Sequence, residues 1–414
     1  MTQRRRIVIT GMGLVSPLGD EVDAFWERLL ACESGITPVE SFDITDFDVK
    51  FGGECRTFDV GRYIDRRDAK RMDRFTQMAV AAARQAVEDA GLEAGAGRPE
   101  RFGVITGSGI GGIKELEEQH LRLREKGPGK VSAFTIPKLM VNAASGCISI
   151  MFGARGPNTA VATACASATN AMGDALNAIR RGDADVIITG GSEAALTPLG
   201  LSAFIAMKAL SERNDDPPRA SRPFDRDRDG FVMGEGAGMM IFEELEHAKK
   251  RGAKTYAEVL GFGMSADANH ITQPDEQGRG GAAAMRSALH DARVNPDRVD
   301  YVNAHGTGTP LGDVAETVAI KAVFGAHAKK LHISSTKSSI GHLLGASGGV
   351  ELVATVLAIN NGVAPPTINL EHPGDGCDLN YTPLTPQDAR IEFAISNSFG
   401  FGGHNACICI GKFN

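Results

Sequence analysis

Short runs rich in Val, Ile and Thr, each bounded by glycine, alternate along the whole chain with Ala-rich stretches of helical period, and this alternation constrains the fold most. Buried strands interleaved with helices build a layered α/β protein. The segments 5–10, 102–106, 159–163, 185–189, 239–243, 256–264, 301–304, 333–336, 393–397 and 406–410 read as strands. Those at 73–90, 166–181, 281–292, 314–324 and 348–360 read as helices. The two halves echo each other. Arg5 to Gly13 resembles Tyr256 to Met264, and the next clear helix in each ends on Ala-Val-Glu-Asp-Ala or Ala-Leu-His-Asp-Ala. Segment 161–182 is matched by 333–362, with strand, turn and helix in both. A duplicated unit is expected, residues 1–252 and 253–414, each half supplying part of one site.

With 42% hydrophobic and 23% charged residues over 414 positions, a large core is available. No apolar run reaches the roughly 18 residues of a membrane-spanning helix, so no membrane partner is expected. The basic start, Met1 to Arg6, superficially resembles a signal peptide. Its apolar stretch breaks at Gly11 and Gly13 and meets Ser16-Pro17 without a small-residue cleavage site, so it reads as a first buried strand. A net charge of −7 argues against nucleic acid as a partner. Seven cysteines are too sparse for a disulfide framework and fit a reducing cytoplasm. Cys407 and Cys409 have the spacing of one strand face and read as buried hydrophobes. Without CxxC or HExxH patterns, no catalytic metal is expected.

Two glycine patterns follow strands. Gly107-Ser108-Gly109-Ile110-Gly111-Gly112 fits G-x-G-x-x-G, yet no acid closes a strand about 20 residues later, where Lys126-Gly127-Pro128-Gly129-Lys130 stands. Gly11-Met12-Gly13 is weaker still. Tight turns serving close packing or an acyl pocket are the better account of both. Asp225-Arg226-Asp227-Arg228-Asp229-Gly230 imitates half of a calcium loop, but its twelfth position is Gly236 and arginines interleave the carboxylates. An Arg/Asp ion-pair network explains it better.

Cys165 closes a strand-like run and opens a helix, with small residues on both sides, as in a nucleophile elbow. There the positive end of the helix macrodipole should lower its pKa. An isolated cysteine is more often inert and buried; the turn chemistry favours a nucleophile. His305 follows Tyr301-Val302-Asn303-Ala304 and leads into Gly306-Thr307-Gly308-Thr309. His342 stands in Gly341-His342-Leu343-Leu344-Gly345-Ala346, five residues after Lys337. One histidine alone would more often be a satisfied core residue. Two in small-residue turns, beside a lysine and a cysteine, point to making and breaking a thioester.

These residues resemble the motifs of the β-ketoacyl-[acyl-carrier-protein] synthases, most of all the elongating KAS II type. Thr163-Ala164-Cys165, His305 through Asp313, Lys337 through His342, and Asn397-Ser398-Phe399-Gly400-Phe401-Gly402-Gly403 carry the likeness, four separated sites in family order. The resemblance implies a thiolase-like, five-layered α-β-α-β-α sandwich, a homodimer, and acyl carrier protein as partner. It implies a decarboxylating Claisen condensation without a cofactor, the substrates carrying phosphopantetheine on the carrier. Cys165 would hold the acyl chain, His305 and His342 would stabilise the malonyl-derived enolate, and Lys337 would support their geometry and charge. Cys165 and Phe401 amides would form a second oxyanion hole, Phe401 a gate. Thr307 and Thr309 would bind the malonyl portion, and Ile110 would shape the acyl pocket. Carrier docking would fall on Arg67, Lys70, Arg71, Lys130 and Lys208. The family's monovalent-cation site maps to Asn303, Ala304, Glu351, Ser396 and Asn397. At 404 this chain has His where many relatives carry Thr. A stand-alone polyketide ketosynthase is the alternative. A non-catalytic chain-length partner fits less well, since such subunits lack the nucleophile, and a nicotinamide-dependent oxidoreductase is a distant third.

Overall fold

The computed structural model describes residues 4–93 and 98–413, so Met1 to Gln3 of the basic start lie outside the described residues. Ten strands form one sheet: β1 (Ile7–Val15), β2 (Phe102–Gly107), β3 (Asn158–Val161), β4 (Val186–Glu193), β5 (Gly236–Glu244), β6 (Ala257–Ala266), β7 (Tyr301–Asn303), β8 (His332–Ser334), β9 (Phe393–Gly400) and β10 (His404–Lys412). Their order is β8-β7-β9-β10-β6-β1-β5-β4-β2-β3. From the centre outward both sides repeat one pattern. The pairs β1-β5 and β5-β4 are antiparallel, then β4-β2 and β2-β3 parallel. On the other side β6-β10 and β10-β9 are antiparallel, then β9-β7 and β7-β8 parallel. Only Ile7 to Ile9 of β1 join the two sides, pairing antiparallel with β6.

Helices α1 (Arg74–Asp89), α2 (Ser167–Arg181), α3 (Arg279–Ala292), α4 (Pro310–Phe324) and α5 (Ser347–Asn361) complete the layers. In α5 every residue from Ser347 to Ile359 is buried, as a helix enclosed on all sides must be. It shares a core with α2 between the two halves of the sheet. Outside one half lie α1 and the helix Ala143–Phe152; outside the other lie α3 and α4. This is the expected α-β-α-β-α sandwich.

One expectation is corrected at the first strand. Gly11 and Gly13 do not end it in a turn; β1 runs through them to Val15, with an irregularity between Ile9 and Gly11. A Cβ at Gly11 or Gly13 would overlap the carbonyl oxygens of Ala86 or Ala82, so the glycines let α1 lie directly on the strand backbone. Gly261 and Gly263 of β6 do the same beneath Ala288 and Ala284 of α3. Helices at Val22–Leu30, Ile113–Lys126 and Pro198–Ala206 were not expected. Ile113–Lys126 buries only Glu115 and Gln119 and leaves Leu116, Leu121 and Leu123 exposed, so no apolar stripe marks it. Among the described residues no helix is long and apolar enough to cross a membrane.

Candidate active site

The chain passes from β3 to α2 through Ala164, whose φ of 49° is unusual for a residue with a side chain. Ser167 secures the turn, its Oγ accepting from Thr163 N (2.9 Å) and donating to Ala164 O (2.6 Å). Cys165 is thereby held in the wall of a cavity of about 640 Å³. His305 and His342 line the same cavity, and the potential donor atoms of Cys165, His305 and His342 lie within 4.8 Å of one another. The imidazoles meet edge to face, with centroids 5.3 Å apart. His342 Nε2 is 3.0 Å from Cys165 Sγ, and its Nδ1 is 2.9 Å from Ser347 Oγ. A hydroxyl donates or accepts, so Ser347 accommodates either tautomer of His342.

Electrostatics correct the expected thiol activation. Burial pushes the Cys165 thiol up to about 11, while Lys337 and the N–H groups of Phe401 and Cys165 itself pull it back. Desolvation therefore outweighs the helix end, and the resting group is a thiol facing an imidazole. Burial also drives His305 and His342 well below the ordinary histidine range, reinforced by Lys337. Both are neutral at physiological pH. Lys337 makes no hydrogen bond to either ring among the described residues; it is buried in an ion pair with Glu351 and acts on the histidines through its charge.

Other expected residues fall around this centre. Thr307, Thr309, Ile110, Phe401 and Lys208 line the cavity. Thr309 also caps α4, accepting from Gly312 N at 3.2 Å, and lies 3.1 Å from Thr307 Oγ1. Phe401 begins the short connection between β9 and β10, where Gly402 and Gly403 have φ of 79° and 73°. Gly402 N donates to Ile271 O, and Asp267 N to Gly403 O. His404 is exposed at the start of β10, outside the cavity lining. Arg67, Lys70 and Arg71 gather with Arg66 and Phe134 in a separate surface depression; Lys130 lines neither hollow.

The calcium-like segment is an ion-pair network. Arg222 binds Asp225 at 2.9 Å, and Arg228 approaches Asp313 at 3.6 Å. Asp313 closes the His305 motif without a role given to it by the sequence, and Glu316 escapes notice there altogether. Glu316 accepts from His305 N (2.9 Å) and Gly306 N (2.7 Å), fixing the histidine's backbone. Asp313, pushed up to about 6 by burial, accepts from Phe224 N and Gly308 N. Thr309 as N-cap with Pro310 at the first helical position was the available signal. Starting the helix at Pro310 rather than 314 puts both acids on its buried face.

The residues of the expected cation site carry unpartnered buried oxygens: Asn303 Oδ1, Glu351 Oε2, Ser396 Oγ and Asn397 Oδ1. Asn303 and Ser396 are register partners, so their side chains share a face, toward α5 and Glu351. Asn397 points the other way, donating to Glu316. Oxygen donors left unsatisfied around a buried carboxylate fit a hard monovalent cation.

Residues 4–248 match the Beta-ketoacyl synthase, N-terminal domain, and 256–371 the Beta-ketoacyl synthase, C-terminal domain. A 3-oxoacyl-[acyl-carrier-protein] synthase 2 of Vibrio cholerae is 51% identical over 407 residues, 98% of each chain, and one of Synechocystis sp. is 50% identical over 411 residues, 99% of each. Among solved structures, one chain of the AntDE:AntF complex, a type II PKS acyl-carrier protein with its ketosynthase, superposes with a TM-score of 0.92 at 34% identity over all of both chains. A Beta-ketoacyl synthase from Burkholderia phymatum gives 0.91 at 33%, covering 99% of this chain and 100% of that one. With a cysteine and two neutral histidines meeting in one cavity, and with both family domains matched over residues 4–248 and 256–371, this chain belongs to the beta-ketoacyl synthase family.

Proposed function

We propose that the chain catalyses the elongating step of type II fatty-acid synthesis, a decarboxylating Claisen condensation between an acyl group on Cys165 and malonyl-[acyl-carrier protein]. The convergence of Cys165, His305 and His342 carries this reading. Cys165 Sγ attacks the acyl-carrier thioester as its proton passes to His342 Nε2; the carrier thiol leaves, taking a proton. The tetrahedral oxyanion is served by the N–H groups of Cys165 and Phe401, both of which act on the space at Sγ. Malonyl carrier then enters, its thioester carbonyl accepting from His305 and His342. The C–CO2 bond breaks, CO2 departs, and its electron pair becomes the enolate those donors stabilise. The carbanion attacks the acyl-Cys165 carbonyl, the C–S bond breaks, Cys165 Sγ leaves as a thiolate that takes a proton from solvent by way of His342 Nε2, and 3-oxoacyl carrier forms, two carbons longer. Neutral imidazoles donate to the enolate without protonating it outright. Lys337 acts through charge, Thr307 and Thr309 hold the malonyl portion, Phe401 gates entry, and Ile110 bounds the acyl chain. No cofactor is invoked beyond the carrier's phosphopantetheine. A monovalent cation, where bound, would be held by Asn303, Glu351 and Ser396, with Ala304 and Asn397, at the carboxylate oxygen of Glu351 that Lys337 leaves unpartnered.

The reaction tests the reading. Acyl and malonyl carriers should yield one CO2 for each 3-oxoacyl product; malonyl carrier consumed without extension of the acyl chain overturns it. The polyketide alternative draws on relatives near 34% identity, against about 50% for the fatty-acid enzymes.

The duplicated halves, 1–252 and 253–414, each contribute, the nucleophile from one and the histidines from the other. A homodimer is supported by the exposed edge strand β3 beside Ile150, 83% exposed, and by the exposed Leu121, Ile136 and Met140. Free cysteines throughout fit the cytoplasm. Carrier docking is assigned to Arg67, Lys70 and Arg71, with Lys130 and Lys208 contributing. An acidic carrier is steered by such charges, an effect that salt weakens. Replacing Lys70 and Arg71 by Glu should raise the KM for carrier-bound substrate, while pantetheine thioesters react as before. Equal response of both substrates removes the patch from docking.

A further inference from the structure

The backbone N–H groups of Gly109, Ile110 and Gly111, in the glycine-rich loop after β2, converge as they would on a bound anion. Here the anion is the protein's own. Glu193, the last residue of β4 and fully buried, accepts from Gly109 N (2.7 Å), Ile110 N (3.2 Å), Gly111 N (3.3 Å) and Ser108 Oγ (2.8 Å). A fifth donor, Gly345 N at 3.1 Å, comes from the turn that follows His342. All five donors are neutral, and both carboxylate oxygens are engaged. A side chain at either contact would disturb the arrangement: a Cβ at Gly109 would stand 3.0 Å from Glu193 Oε2, and one at Gly345 2.6 Å.

The loop cannot move as a unit without stripping partners from a buried carboxylate, which is costly. Gly109 and Ile110 of that loop line the cavity, only Ile110 of the two carries a side chain, and its own N–H is one of the five. We propose that Glu193 is a positioning residue for acyl-chain length: by tying 108–111 to the turn after His342, it fixes how far Ile110 intrudes on the acyl chain. The inference rests on the reading of the cavity as the acyl pocket with Ile110 at its wall.

Glu193→Gln keeps the shape but turns one acceptor into a donor facing N–H groups. With the full-length protein and acyl carriers of graded length, the ratio of kcat/KM between the preferred chain and longer ones should flatten by about tenfold, the lower range of what one methylene's fit in an apolar pocket decides. A ratio taken on one preparation does not respond to loss of folded protein, which a merely structural role would cause. Ser108→Ala, which removes one donor and decides the matter where Glu193→Gln fails to fold, should shift the ratio in the same direction by less. Ile110→Ala widens the wall directly. A shift in Ile110→Ala with unchanged ratios in the Glu193 and Ser108 variants overturns the role of Glu193 and leaves the pocket reading intact. Unchanged ratios in all three overturn both.

Discussion

Cys165→Ala should abolish condensation, and acyl-carrier substrate should leave one acyl group per chain on the peptide that holds Cys165 in the native protein. Seven thiols compete for that role, and all are free. Burial pushes Cys55, Cys407 and Cys409 up as well, with Cys55 further burdened by Glu235. None of them lines the cavity. Cys165 alone has an imidazole nitrogen at 3.0 Å, and the backbone N–H groups of Phe401 and Cys165 favour its thiolate. A thiol held up near 11 depends on transferring its proton as it attacks, so proximity to His342 matters more than a standing thiolate population. Removing the nucleophile of a triad enzyme costs on the order of a millionfold. Turnover should fall below detection, and peptide mass spectrometry should find no acyl adduct in the variant. An adduct on another cysteine of the native protein sinks the mechanism.

The expected thiol pKa went wrong for a reason local sequence does not hold. A cysteine before a helix does feel the helix end, but the sign of the net shift depends on burial, which is made by Phe401, His342 and the 342–345 turn from distant segments. Strands, main helices and the three reactive turns were legible because each is written locally, in β-branched runs, alanine periods and small residues around Cys165, His305 and His342. Gly11 and Gly13 carried a true signal of close packing that was placed in a turn, since the strand's partner, α1, begins more than sixty residues later. Glu193 and Glu316 were invisible for the same reason. Each is an ordinary acid in its own segment, and only the fold delivers backbone amides to it.

Removal of His305 or His342 should separate the two half-reactions. Both rings are neutral and sit edge to face with their open edges toward one cavity, the arrangement needed to donate to a single carbonyl oxygen as it gains charge. His305→Ala should lose decarboxylation of malonyl carrier by on the order of a hundredfold or more, the effect of one oxyanion donor, while acyl transfer to Cys165 survives. His342→Ala should lose decarboxylation comparably and slow acyl transfer too, because its Nε2 is also the proton acceptor 3.0 Å from the thiol. The pH dependence has a definite sign. Both histidines are held well below their ordinary range by burial and by Lys337, so native decarboxylation should show no acid limb near 6.5 and should fall only at markedly lower pH, when an imidazole takes a second proton. Radiolabelled CO2 release reads decarboxylation, and intact-protein mass reads acylation. Decarboxylation unimpaired in both variants shows that the enolate is stabilised elsewhere; equal loss of both half-reactions in His305→Ala shows that the ring supports the fold of the site rather than one step.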